Sequence, residues 1–342
     1  MAFDMLVGNE ALRARLQSDL CEGRLSHAYL IEGTRGSGRN TLATALAAAL
    51  ACERRAQSDS LPCGQCNACR KVLEGKSPDV IRICRDPKKA SIGVDEVRFL
   101  RADVYVRPND LETKVYIIEE ADLLTTQAQN ALLLTLEEPP SYVLFLLLCE
   151  NASSLLETIR SRAPSLRMAR IPRDRMRDYL CGRDRTFAAL GEAEQQEILL
   201  LADGSIGRAL TLADPRERGP LSERRAMAAR CVSGLLAHAD TETMLTLLAD
   251  IGIKRDKITV KREELVALLE DVLTALRDLI LLKRADAVTL CFYTDAQTAQ
   301  QLGSNISLQT LLSLSDAVQA TRRQLLRNAN IRLAMTSLFF IS

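Results

Sequence analysis

Apolar positions recur along this chain with two distinct periods. Leu12, Leu16 and Leu20 fall four residues apart and predict a helix over residues 8–22. Ala28 to Ile31 is a short apolar run that predicts a strand, followed by GTRGSGRNT at 33–41 and an Ala/Leu-rich helix over 42–52. Val80 to Cys84 predicts a second strand, Val94 to Val104 a helix, and Lys114 to Glu119 a strand that is apolar through its centre, as in a parallel sheet covered on both faces. Leu124, Ala128, Leu132 and Leu136 predict a helix over 122–137, stopped by Pro139-Pro140. Tyr142 to Leu148 and Ser165 to Ala169 complete the predicted strands. Beyond Pro172 the pattern is helical throughout. Its longest segment, about 257–285, carries Leu265, Leu268, Leu269, Val272, Leu273, Leu276 and Ile280 on one stripe.

This pattern divides the 342 residues into an α/β domain at 1–171, a small helical lid at 172–214 and a helical C-terminal domain at 215–342. Hydrophobic residues are 47% of the chain and aromatics only 4%, so the cores are built from Leu and Ala. The net charge is +1, from 45 basic and 44 acidic residues, which argues against tight nucleic-acid binding by the chain alone, since phosphate contacts need clustered Lys and Arg. No apolar run approaches the roughly 20 residues of a membrane span. The N-terminal MAFDMLVGNEALR turns charged and helical at once, unlike a signal peptide, so a reducing cytoplasm is expected for the ten cysteines.

The strand–glycine turn–helix unit is the phosphate-binding arrangement of α/β folds, in which backbone N–H groups cradle phosphates, a Lys reaches the β- and γ-phosphates and a hydroxyl binds Mg²⁺. Gly33, Gly36 and Gly38 retain the backbone part. Arg39 stands at the Lys position and Asn40 at the hydroxyl position, while Thr41 carries a hydroxyl one residue too late. The metal-holding and water-orienting acids belong at the end of a following strand. Glu119 takes the metal position, one methylene longer than Asp, and Glu120 the water-orienting one. Two readings stand: glycines that only turn the chain, or a nucleotide site whose hydrolytic chemistry has decayed and whose ATP binding is doubtful. The matching strand end downstream favours the second.

Cys63, Cys66 and Cys69 follow a C-x2-C-x2-C spacing, with Cys52 ten intervening residues upstream. Four thiolates suit a closed, structural Zn²⁺ site that would pin the insert at 52–69. An iron–sulfur run would continue with a Cys four residues on, but position 73 is Leu. Four unliganded thiols would be open to oxidation. Cys21, Cys84, Cys149, Cys181, Cys231 and Cys291 are scattered and read as buried core residues.

SHAYLIEG at 26–33, the glycine loop, the four-cysteine insert with SPD at 77–79, KVYIIEEADLLTTQAQNALLLTLEEPP at 114–140 and Ser161-Arg162 together resemble the clamp-loader subunits of bacterial DNA polymerase III. The likeness is strong over about 1–215 and weaker beyond. It implies an AAA+ α/β domain, a lid and a C-terminal collar, with motor (gamma/tau) and delta subunits, the sliding clamp and primed DNA as partners. Within that family, GSIGRAL at 204–210, LRDLILLK at 276–283 and NANIRLAMTSLFF at 328–340 resemble the delta-prime form. That form implies a subunit without its own ATPase activity, in which Arg162 reaches a neighbour's ATP site. The family's Ser-Arg-Cys here reads Ser161-Arg162-Ala163, and an ordinary surface Arg is the plain alternative. An active motor with an unusual loop, and a stand-alone zinc-containing nucleic-acid-binding or regulatory protein, are the competing functions.

Overall fold

The computed structural model describes residues 6–55, 61–89, 91–237, 240–284, 290–293 and 295–340. They fall into two compact units: residues up to Ala188 with Gly204–Leu210, and Ala189–Asp203 with the residues from Thr211 on.

The first unit is built on five strands: β1 Ala28–Glu32, β2 Val80–Ile83, β3 Lys114–Ile118, β4 Val143–Cys149 and β5 Ser165–Arg167. All pairings are parallel, in the order β2-β3-β4-β1-β5. Its helices are α1 Glu10–Cys21, α2 Arg39–Leu50, α3 Asn67–Leu73, α4 Val94–Asp103, α5 Thr126–Glu137 and α6 Glu157–Arg160. The three central strands β3, β4 and β1 bury both faces, so their side chains alternate between two cores. Tyr29, Ile31, Val115, Ile117, Leu144 and Leu146 join α1, α2 and α3 on one side. Ala28, Leu30, Tyr116, Ile118, Phe145 and Leu147 join α4, α5 and α6 on the other. Tyr116 stacks on Phe145 at 5.4 Å between ring centroids.

Element ends differ from the sequence pattern where local hydrogen bonding intervenes. The helix expected from residue 42 begins at Arg39, because Gly38 takes φ 96° and turns the chain directly into it. The helix expected over 122–137 is split. Ala121–Leu123 forms a 3-10 turn, Leu124 is extended and bridges to Ile92, and α5 starts at Thr126. Thr125 decides this start, since its hydroxyl accepts the Ala128 N–H at 3.2 Å as an N-cap. Cys21, Cys84 and Cys181, expected in the core, are exposed. Cys21 closes α1 and Cys84 follows β2, so each lies where its element leaves the core.

After β5 the elements are helical: α7 Arg173–Arg183, α8 Arg185–Ala188, α9 Glu192–Ala202, α10 Ile206–Ala213, α11 Pro215–Leu236, α12 Thr241–Asp250, α13 Arg262–Leu282, α14 Ala296–Gly303, α15 Leu308–Leu326 and α16 Ile331–Phe339. In the second unit α13 packs against α11 and α15, burying the predicted stripe from Leu265 to Leu276. The buried Asp278 carboxylate on α13 accepts the N–H groups of Cys291, Phe292 and Tyr293 at 2.8, 2.6 and 3.2 Å. Among the described residues no helix is long and apolar enough to cross a membrane.

Candidate nucleotide site and cysteine cluster

β1 lies between β4 and β5, so the chain leaves it at the point where the strand order reverses, the usual ligand position at the carboxyl edge of an α/β sheet. The glycine loop is fixed there by close backbone packing. A Cβ on Gly33 would lie 2.5 Å from Ser37 Oγ and 2.8 Å from Met168 Cβ. At Gly36, φ 78°, it would lie 2.6 Å from Ser205 Oγ. The GSIGRAL turn packs on Gly36: Gly207 N–H donates to Gly36 O at 3.0 Å, and Ser205 Oγ donates to Arg35 O at 3.0 Å. A Cβ on Gly207 would meet Gly36 Cα at 2.7 Å, so both glycines are required for two backbones to touch.

Several charged side chains around the loop are paired within the chain. Arg39, at the head of α2, lies 3.8 Å from Glu150, which follows β4. Asp122 faces Arg39 from the turn after β3, and burial raises its carboxyl above the ordinary value. Burial, reinforced by Asp122, also pushes the Cys149 thiol up to about 12. Arg85 pairs with Glu120 at 3.0 Å. Arg82, on β2, donates to Glu119 Oε1 at 2.7 Å, Asn40 Oδ1 at 3.3 Å and Thr44 Oγ1 at 2.6 Å. Thr41 lies in the first turn of α2.

In a metal–nucleotide site of this fold the divalent ion is held between the residue after the loop Lys and the acid ending the β3 strand. Here those positions are Asn40 and Glu119, and a guanidinium bridges them. The residues present do not fit Mg²⁺: the hydroxyl is missing, the carboxylate is already paired, and a cation stands between them.

The structure brings Cys52 to the C-x2-C-x2-C run. The four Sγ atoms lie within 4.8 Å of one another, with Cys63 and Cys69 at 4.0 Å. Sulfurs at the corners of a zinc tetrahedron lie about 3.8 Å apart, given Zn–S near 2.3 Å, so the cluster is already close to ligating geometry. Cys52 follows α2 and Cys66 caps α3, so the cluster fastens those two helices. Cys66 N–H donates to Cys63 Sγ and Cys69 N–H to Cys66 Sγ, both at 3.4 Å. Burial pushes the Cys63 thiol up, but the backbone N–H groups of Cys66 and Gln65 and the neighbouring thiols outweigh it and bring Cys63 down to about 6. Burial raises Cys52 and Cys69. These residues fit a structural Zn²⁺.

Arg162 follows α6, half-buried. Its guanidinium pairs with Glu137 at 2.8 Å and donates to Thr158 O at 2.9 Å. Sequence reasoning took Glu137 only as the end of a helix, and it missed Arg82, Arg85, Asp122 and Glu150. The one available signal was Arg82 itself, a charge inside the otherwise apolar VIRI strand.

A five-stranded parallel sheet in this order, with a glycine loop between β1 and α2 and acids ending β3, defines an AAA+ unit of the P-loop NTPase type. Residues 8–172 match the family described as DNA polymerase III, delta subunit. This part of the chain is thus similar to the delta-type clamp-loader subunits related to gamma and tau. The tau subunit of Bacillus subtilis is 36% identical over 216 residues, 62% of this chain and 37% of the relative. A delta' subunit of Yersinia pestis is 42% identical over 140 residues, 41% of each chain. The chain thus spans less than half the length of these relatives. A solved gamma subunit-related protein of Thermotoga maritima covers 96% of this chain and 97% of its own at 18% identity, with a TM-score of 0.49.

Proposed function

We propose that this chain is a delta-prime-type, non-hydrolysing subunit of the DNA polymerase III clamp loader, working in the cytoplasm with motor (gamma/tau) and delta subunits to place the sliding clamp on primed DNA. The observation that carries this reading is the Asn40–Arg82–Glu119 bridge, which leaves no ligand set for a metal ion beside the loop. Arg39 held at 3.8 Å from Glu150 adds to it, since a guanidinium drawn toward a carboxylate is less available to a γ-phosphate.

The active role falls to Arg162. Supplied to the ATP site of an adjacent motor subunit, it stabilises charge on the transferring phosphoryl group. The Glu137 pair is exposed enough to exchange for a phosphate partner. Zn²⁺ on Cys52, Cys63, Cys66 and Cys69 is structural. Residues 172–214 serve as a lid and 215–342 as the collar that joins subunits. DNA contact comes through the assembled ring.

The test is DNA-stimulated ATP hydrolysis by the complex reconstituted with motor and delta subunits. The chain alone should be inactive, and Arg162→Ala should assemble normally but slow turnover at least tenfold, since trans arginines contribute on the order of 10³ or more. A second reading, an ATP-hydrolysing motor, draws on the 36% identity to tau. Multiple-turnover hydrolysis by the isolated chain would establish it in place of the first.

A further inference from the structure

The three acceptors of Arg82 come from two elements that a metal–nucleotide complex would otherwise join. Asn40 and Thr44 lie one turn apart on α2, and Glu119 directly follows β3. The guanidinium fork reaches all three, with Nη1 shared between Asn40 and Glu119 and Nη2 on Thr44. The departures at positions 40 and 119 then have a common cause. An amide oxygen is a good acceptor for a guanidinium and a poor replacement for a metal-binding hydroxyl. The extra methylene of Glu, too long for a cation seated against the loop, lets its carboxylate meet a donor arriving from β2. The Thr44 hydroxyl, which donates to Asn40 O at 2.7 Å, is oriented to accept from Nη2.

We propose that Arg82 is the resident cation of this site: its guanidinium replaces the divalent metal, ties the first turn of α2 to the end of β3, and excludes a metal ion from the carboxylate of Glu119. The proposal rests on reading residues 33–41 and 119–120 as the remnant of a metal–nucleotide site. It goes further by naming what fills that site and what emptying it would restore. Arg85 on Glu120 makes the adjoining pair, so both acids at the end of β3 are neutralised from β2 and the residues just after it.

The experiment is titration of the purified full chain with Mn²⁺ in the absence of nucleotide, followed by electron paramagnetic resonance, for wild type, Glu119→Gln, Arg82→Ala, Arg82→Lys and the double variant Arg82→Ala/Glu119→Gln. Wild type and Glu119→Gln should titrate alike. Arg82→Lys, which keeps a tethered cation, should follow them. Arg82→Ala should gain a site at least tenfold tighter than any in wild type, and Glu119→Gln should abolish that gain. Thermal melts should show Arg82→Ala below wild type and raised again by millimolar Mn²⁺, with wild type indifferent to the metal. Glu119-dependent Mn²⁺ binding by wild type would overturn the proposal. So would Arg82→Ala that titrates like wild type, and the wild-type arm decides the matter even where a variant folds poorly. None of these outcomes bears on Arg162, whose role is read from the ATPase rate of the assembled complex, so either proposal can fail alone.

Discussion

A lysine at the first position of a central strand is an unusual thing to bury, and Lys114 is 4% exposed. It is tolerated because its ammonium meets Asp103 Oδ2 at 2.8 Å and the carbonyls of Asp103 and Val106. Tyr116 donates to the same carboxylate oxygen at 2.7 Å. Burial raises the Asp103 carboxyl, but these donors outweigh it and hold the group below its ordinary value. A carboxyl depressed in the fold contributes stability that is present above its unfolded value, near 3.9, and is lost as pH falls through the folded one. Asp103→Asn should therefore cost about 1–3 kcal/mol at pH 7. The gap from wild type should narrow below about pH 4. Urea unfolding followed by circular dichroism at both pH values checks this; a gap that widens on acidification would contradict it. None of this was legible beforehand, because Lys114 and Asp103 lie on different elements and only the tertiary fold makes them neighbours. The loop and strand-end residues, by contrast, were found at once, since their chemistry depends on spacing within a few residues.

Elements were read well where periodicity alone sets them and poorly where a single side chain does. β3 and β4 were plain from their apolar runs. The break before α5 was not, because one Thr125 hydroxyl outcompetes a four-residue apolar spacing that continues through it. The insert is the opposite case: α3 is seven residues long, too short to persist on its own helical propensity. It is held by Cys69 and Val72 in the core and by the thiol cluster behind its first turn. Purified under reducing conditions, the protein should carry one zinc per chain, and a strong chelator should lower the melting temperature together with some helical signal. Cys52→Ser should weaken zinc binding at least tenfold, a loss on the scale expected when one of four thiolates is removed. Metal analysis and competition with a colorimetric chelator give the numbers. Acidification should release the metal, since the raised thiols of Cys52 and Cys69 must lose protons to bind it.

For the whole molecule, the order α/β first and helical afterwards was visible in the change of period near Pro172. The grouping into compact units was not, because Gly204–Leu210 joins the first unit across the intervening Ala189–Asp203. Contact between Gly36 and Gly207 is set by the absence of two side chains, which no pattern of apolar positions records. The Asp278 carboxylate offers a way to observe how the second unit opens. Three consecutive amides, those of Cys291, Phe292 and Tyr293, converge on one oxygen of a residue near the C-terminal end of α13. Their exchange with deuterated solvent should be slow and should share one rate, because none can be released unless the segment lifts away from α13 as a piece. Asp278→Asn, whose amide can present one oxygen but also brings an N–H group into the same nest, should speed all three together. A short stretch with no regular secondary structure of its own would then report, as a clock does, how often the helical unit breathes.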